Sequence, residues 1–339
     1  MTVPVGIADL SFYEPERFVT SADLAAGTGI PESVIVEKFG LYGKHVAAPD
    51  EHVSDMCIKA AAPIVERHGA DTIDAVAYFG SHWKDYAVWQ VAPKIQRALG
   101  IEGFAFELVN VSAGAPVALK IVADMLRADD RLGSILLVGA SRESYLIDYE
   151  NERSRFMFPF GDGAVAVLLT RGHETNQVLA SSLYTDGSFS DDIMVPGGGS
   201  RNPTTVETVA SGMHVLDVRD PAEMKLRLDP ITVKNFIAVA FDALERSGFD
   251  RSDADWLLPI HTKRSLNEAI LLEMGIPRER SIYLDHHGHM SAVDPLFSLA
   301  LGANEGRFRD GDVIVILAAG TGYTWAASIV RWGNPRTER

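Results

Sequence analysis

The chain has 339 residues, 47% of them hydrophobic, enough to bury a large core in two domains or in one duplicated domain. With 31 basic against 46 acidic residues it carries a net charge of −15, which repels a phosphate backbone and argues against a nucleic-acid partner. The opening MTVPVGIADLSFYEPERF has no basic stretch before an apolar one, and no apolar run reaches the roughly 20 residues needed to cross a bilayer. A cytoplasmic location with no membrane partner is therefore expected. The single cysteine, Cys57, excludes internal disulfides and multi-cysteine metal sites. It sits in SDMCIKAAAPIVERHG, whose apolar spacing is helical, and reads as a buried structural thiol.

In chain order, the amphipathic segment Val53 to His68 leads to the strand-like DAVAYFGS, a helix over Ser112 to Ala128, and the apolar strands ILLVGAS and AVAVLLT. The second half repeats this order: a helix from Ile231 to Ser247, the strand DWLLPIH, a helix entered at His289, then VIVILAAG and TWAASIVRW. Helices alternating with short, β-branched-rich apolar strands form the pattern of parallel sheets covered on both faces. The chain thus reads as a duplicated α/β protein with halves at residues 1–170 and 171–339. Ser112 and His289 are then equivalent positions at two helix entrances, which a pseudo-two-fold arrangement can bring face to face.

Ser112 is followed by Ala113 and Gly114, small residues that suit a tight strand-to-helix turn, where a helix N-terminus favours developing negative charge. It reads either as a nucleophile or as a helix N-cap. In LDHHGHMSAVDPLFSLALG, Asp294 follows His289 by about one helical turn, so a carboxylate could orient an imidazole base. A metal site on His286, His287 and His289 is disfavoured: the spacing is crowded across a glycine turn and no further ligand is evident. His286 and His287 suit the surface better. His261 ends an apolar strand, a common place for function in α/β sheets. Gly320 and Gly322 in AAGTGYTW either let backbone N–H groups approach a ligand or form a plain turn between strands. GDGAVAV only superficially resembles a phosphate loop, since no lysine follows and a strand comes next.

Seven segments in order from about Gly40 to Trp332 resemble the β-ketoacyl-acyl-carrier-protein synthase III family of the thiolase superfamily: LYGKHVAAPDEHVSDM, AFELVNVSAGAPVAL, FGDGAVAVLL, LYTDGSFSDDIMVPG, DWLLPIHTK, GHMSAVDPL and GTGYTWAASIVRW. The resemblance implies a five-layered α-β-α-β-α thiolase fold and a homodimer. It also implies no cofactor beyond the phosphopantetheine or coenzyme A carried by the substrate, and no metal. Ser112 stands where the family has its nucleophilic cysteine, and His289 where it has the asparagine of Gly-Asn-Thr-Ser-Ala. His261 matches the histidine of Pro-His-Gln-Ala-Asn, with Ile260 as an extra residue before it.

These departures compensate one another: a serine hydroxyl, unlike a cysteine, needs a base, and His289 oriented by Asp294 supplies one. The oxyanion hole implied by the resemblance comprises the N–H groups of Ser112 and Thr321. Lys38 and Lys44 fall at the basic mouth of the substrate tunnel, and Val34 stands where an aromatic residue stacks on adenine in well-known members. The loop from Tyr86 to Trp89 is the one that reaches the partner's acyl pocket, with Val88 near a position often Phe. Lys38, Val88, Gly320 and Gly322 are thus the expected substrate contacts. The expectation is a transferase that loads an acyl group from an acyl-carrier-protein or coenzyme A thioester onto Ser112 and passes it on, similar to acyltransferases and starter-unit synthases of polyketide pathways. The alternatives are decarboxylative condensation with a malonyl-carrier protein and a catalytically silent partner subunit.

Overall fold

The computed structural model describes residues 3–335. Its centre is a nine-stranded sheet whose strands are, in chain order, β1 (Val5–Tyr13), β2 (Ala75–Tyr78), β3 (Phe104–Glu107), β4 (Ser134–Ser141), β5 (Gly163–Arg171), β6 (Gln177–Thr185), β7 (Trp256–Pro259), β8 (Val313–Gly320) and β9 (Thr324–Arg331). The spatial order is β7-β8-β9-β6-β1-β5-β4-β2-β3. Two halves meet at the single pair Gly6 with Gln177, between β1 and β6. From the outer edge inward, each half runs parallel, then antiparallel, then antiparallel: β2–β4, β4–β5 and β5–β1 in one, β7–β8, β8–β9 and β9–β6 in the other. Where β3 flanks β2 in the first half, an isolated parallel bridge from Leu257 to Ser281 flanks β7 in the second.

The sheet is therefore mixed, not parallel as the apolar runs suggest. Strands clamped between helices on both faces are apolar along their whole length whatever their direction, so composition carries no information on strand sense. Helices Gly114–Ala128 and Asp294–Asn304 lie between the two half-sheets and touch strands of both, which buries the second almost all round and the first over its opening turns, with Lys120 and Asp124 reaching solvent. Helix Val53–His68 covers the outer face of the first half. Helix Pro221–Arg246 covers that of the second, beginning earlier than the expected Ile231 because Asp220 caps it by accepting a 2.9 Å bond from Glu223 N. The result is the five-layered α-β-α-β-α thiolase fold. Cys57 is fully buried in the first outer layer, and burial pushes its thiol well above the ordinary range, as befits an inert packing residue. Among the described residues no helix is long and apolar enough to cross a membrane.

The two central helices begin in the same way. Each is preceded by a 3-10 turn, Val111–Ala113 and Ser291–Val293, and each turn opens on a residue with positive φ, Val111 at 37° and Ser291 at 55°. In that register Ser112 matches Ala292, not His289. His289 lies before the turn in a loop, following Gly288 at φ 73°, so the expected helix entrance at His289 is displaced to Ser291. The helix entrances abut so closely that a Cβ on Gly114 would fall 2.7 Å from Ala292 Cβ and 2.9 Å from Phe79 O. Gly114→Ala should therefore cost about 1–3 kcal/mol by overpacking. By contrast, Gly27→Ala, on an exposed helix with nothing within 4 Å, should gain up to about 1 kcal/mol. Thermal denaturation of the two variants checks both signs.

Candidate active site

Ser112 reaches the junction of the half-sheets because β3 ends at Glu107 and the chain turns through Val111 into the central helix. A β-branched residue at φ 37° is strained by about 1–3 kcal/mol, a cost that recurs where a side chain must be presented at a fixed angle. The Ser112 hydroxyl is not spent on capping. Its Oγ lies 2.8 Å from His289 Nε2, and His289 Nδ1 lies 2.6 Å from Asp294 Oδ2. All three residues are buried, Asp294 completely.

Asp294 accepts three hydrogen bonds: from His289 Nδ1–H, from the backbone N–H of His261 at 2.7 Å and from that of Met290 at 2.6 Å. It also opens the Asp294–Asn304 helix, whose N-terminus favours an anion. An ionised carboxylate can only accept, so the proton between it and the ring sits on Nδ1. In the neutral imidazole the Nε2 lone pair then faces the serine O–H. Burial presses the pKa of His289 down, but the charge and hydrogen bond of Asp294, with a lesser push from Glu143, outweigh it and leave it raised.

The second histidine is arranged differently. His261 lies two residues beyond β7, its Nε2 is 3.3 Å from Gly40 O, and its ring packs on Tyr283 with centroids 4.8 Å apart. Burial lowers its pKa to about 4, opposed in part by Asp294 and Gly40, so the ring is neutral at pH 7. It shares Asp294 with His289 through its backbone, not through its ring.

The other expected site residues are dispersed. Gly320 closes β8 against the Val111–Ala113 turn: a Cβ there would lie 3.0 Å from Ser112 N and 2.7 Å from Ala113 N, so only glycine fits. Thr321 and Gly322 lie in the hairpin turn that joins β8 to β9. Lys38 is exposed, and Val88 is fully exposed at φ 49°. Lys44 is no mouth residue but is completely buried. Nor is His287 a surface residue: its side chain is 13% exposed and lies against Glu14.

Sequence reading missed the scaffold behind His289. Lys44 Nζ donates to Tyr149 Oη at 2.8 Å, Phe158 O at 2.7 Å and Phe160 O at 2.6 Å, while burial lowers its pKa to about 7. The Phe158 to Gly161 strip thus fixed holds the histidine by its backbone: His289 N donates to Pro159 O at 3.1 Å, and Gly161 N to His289 O at 2.9 Å. The Phe160 ring meets the imidazole edge-on with centroids 4.8 Å apart. GDGAVAV, set aside above as a false phosphate loop, contributes Gly161, where a Cβ would lie 2.1 Å from His287 O. It also contributes buried Asp162, which accepts from Ala47 N at 2.9 Å and Ser144 Oγ at 2.6 Å. A short FGDG run next to a buried lysine is a signal that spacing alone does not expose. Lys44→Met should strip the donor from the buried Phe158 carbonyl and the half-buried Phe160 carbonyl and cost about 2–5 kcal/mol, read as a fall in Tm.

Residues 106–187 match the sequence signature of 3-oxoacyl-[acyl-carrier-protein (ACP)] synthase III, and residues 244–332 that of its C-terminal region. The chain is 30% identical over 341 residues to the β-ketoacyl-[acyl-carrier-protein] synthase III of Cereibacter sphaeroides, covering 98% of this chain and 100% of that one. It is 29% identical over 338 residues to the enzyme of the same name in Paramagnetospirillum magneticum, again covering 98% and 100%. The crystal structure of 3-oxoacyl-(acyl carrier protein) synthase III from Pseudomonas aeruginosa PAO1 superposes with a TM-score of 0.83 at 26% identity, covering 99% of this chain and 100% of that one. With this similarity end to end and the thiolase fold in place, the chain belongs to the β-ketoacyl-[acyl-carrier-protein] synthase III family of enzymes.

Proposed function

We propose that this member of the family is an acyltransferase that uses Ser112 as nucleophile, taking its acyl group from an acyl-carrier-protein or coenzyme A thioester. The observation that carries the reading is the unbroken chain from Ser112 Oγ through His289 to Asp294, with links of 2.8 and 2.6 Å. A serine at a helix N-terminus is not ionised by the helix dipole alone, and this chain supplies the base. As Oγ attacks the thioester carbonyl, His289 Nε2 takes the hydroxyl proton, and the Asp294 carboxylate stabilises the imidazolium. The N–H groups of Ser112 and Thr321 serve the tetrahedral oxyanion. Collapse breaks the C–S bond, the proton passes from His289 to the departing thiolate, and an acyl ester remains on Ser112. An acceptor hydroxyl, amine or thiol deprotonated by the same imidazole then releases the acyl group.

Decarboxylative condensation, to which the relatives' name of β-ketoacyl synthase points, is the second reading; we favour transfer because His261 Nε2 lies 3.3 Å from Gly40 O and is not paired with the His289 ring as a second donor for an enolate oxygen. The complete relay weighs against a silent subunit. We further read the chain as a homodimer with lobes at 1–170 and 171–339, acting in polyketide-type secondary metabolism. In that assembly the exposed Trp83, Tyr86 and Val88 loop reaches the partner's acyl pocket and Lys38 receives the incoming carrier.

Intact-protein mass spectrometry after incubation with acyl-coenzyme A or acyl-carrier-protein thioesters should show one acyl group on Ser112, absent in Ser112→Ala. An unchanged adduct in that variant would end the proposal. Asp294→Asn should slow loading by about 10³- to 10⁴-fold, since an amide cannot hold the imidazole in the productive tautomer. Labelled malonyl-carrier protein offered to the loaded enzyme should release no carbon dioxide, and stoichiometric release would replace transfer by condensation.

A further inference from the structure

Three side chains outside the relay converge from distant parts of the chain. Glu14 follows β1, His45 lies in the short strand Gly43–Val46, and His287 lies two residues before His289. One donor atom from each falls within 4.8 Å of the others. His287 Nε2 is 2.6 Å from Glu14 Oε1, and the His45 and His287 rings stack with centroids 5.6 Å apart. His45 Nδ1 donates to Pro15 O at 2.6 Å, which fixes the proton on Nδ1 and leaves the Nε2 lone pair free. A backbone carbonyl behind an imidazole is the usual outer support of a metal-bound histidine, because it sets both tautomer and ring angle. The trio is half-buried. Glu14 and His287 also line a cavity of about 420 Å³ together with Arg264, Tyr283, Asp285 and His286.

We propose that Glu14, His45 and His287 form a binding site for a divalent transition cation of the zinc type, with its remaining coordination positions open to water in the cavity. Two imidazoles and one carboxylate suit Zn²⁺ and its first-row neighbours, whereas Mg²⁺ and Ca²⁺ require mainly oxygen ligands. Such donors bind at about 2.0–2.2 Å from the ion, which places them roughly 3.3 Å apart in tetrahedral geometry. The trio therefore closes by up to about 1.5 Å at its widest, while the 2.6 Å Glu14–His287 pair opens by about 0.7 Å. On binding, Nε2 of His287 must present its lone pair, so a neutral ring carries its proton on Nδ1 instead and an imidazolium ring loses one proton to solvent; Nε2 and the Glu14 carboxylate then both become ligands. The objection drawn from the sequence, that the histidine cluster lacks a further ligand, falls away because the missing donors come from residues 14 and 45. A bound ion would tie the end of β1 and the Gly43–Val46 strand to the loop that carries His289. The competing description is a plain Glu14–His287 hydrogen bond with His45 a bystander, and the two differ over His45.

The full chain, stripped with a chelator, is titrated with ZnCl₂ alone by calorimetry and with Co²⁺ by visible absorption. The expected result is one saturable ion per chain, a Co²⁺ d–d band, and a Tm that rises with free metal. His45→Ala and Glu14→Gln should each weaken binding by at least about ten-fold while keeping the Tm of the chelated protein. His286→Ala, an exposed neighbour bonded to Asp285, should bind as the parent does. Absence of saturable binding, parental affinity in His45→Ala, or loss of binding in His286→Ala would overturn the site. If His45→Ala does not fold, His45→Gln is read by the same criteria, and the Co²⁺ spectrum of the parent chain decides independently.

Discussion

The buried carboxylate of Asp294 is the constraint on which the rest of the centre depends. A carboxylate in a fully buried position is costly unless its lone pairs are satisfied. Here two backbone N–H groups, one imidazole N–H and a helix N-terminus satisfy them. Each of those bonds also places something: the His261 amide fixes the end of the β7 segment, the Met290 amide fixes the approach to the central helix, and His289 Nδ1 fixes the ring that faces Ser112. One anion thus joins the end of β7 and the His289–Met290 loop to its own helix and, through the imidazole, reaches Ser112 of the first half.

The pseudo-repeat supplies the stage on which this happens. Both central helices start from a 3-10 turn opened by a residue at positive φ, and the turns pack against each other at Gly114 and Ala292. The repeat is geometric, while the chemistry is divided between its copies. One turn presents a hydroxyl at Ser112, whereas the matching Ala292 presents only a methyl group. The second copy contributes instead through Asp294, at the position of Gly114, and through a loop histidine that has no counterpart in the first.

Holding the His289 ring on a loop requires support, and it comes from the first half. Lys44, buried among Tyr149, Phe158 and Phe160, freezes the strip that brackets His289 on both backbone sides. The ammonium replaces water with three oxygen acceptors, which is why so buried a lysine is tolerated. Its role concerns position: it touches the groups that hold the imidazole, not the imidazole itself.

The sequence by itself determined the periodic elements, as with the helix over Val53 to His68 and the strands around Val138, Val167 and Val315, because hydrophobic spacing is a local property of the chain. It also brought Ser112, His289 and Asp294 forward together, since a serine proposed as a nucleophile needs a base and that base an orienting carboxylate. Only the tertiary structure decided strand direction, the loop setting of His289, the burial of Lys44 and the meeting of Glu14, His45 and His287. Each of these depends on contacts between residues far apart in the chain. An apolar strand looks the same run in either direction, and a lysine or histidine reads as a surface residue until the fold encloses it.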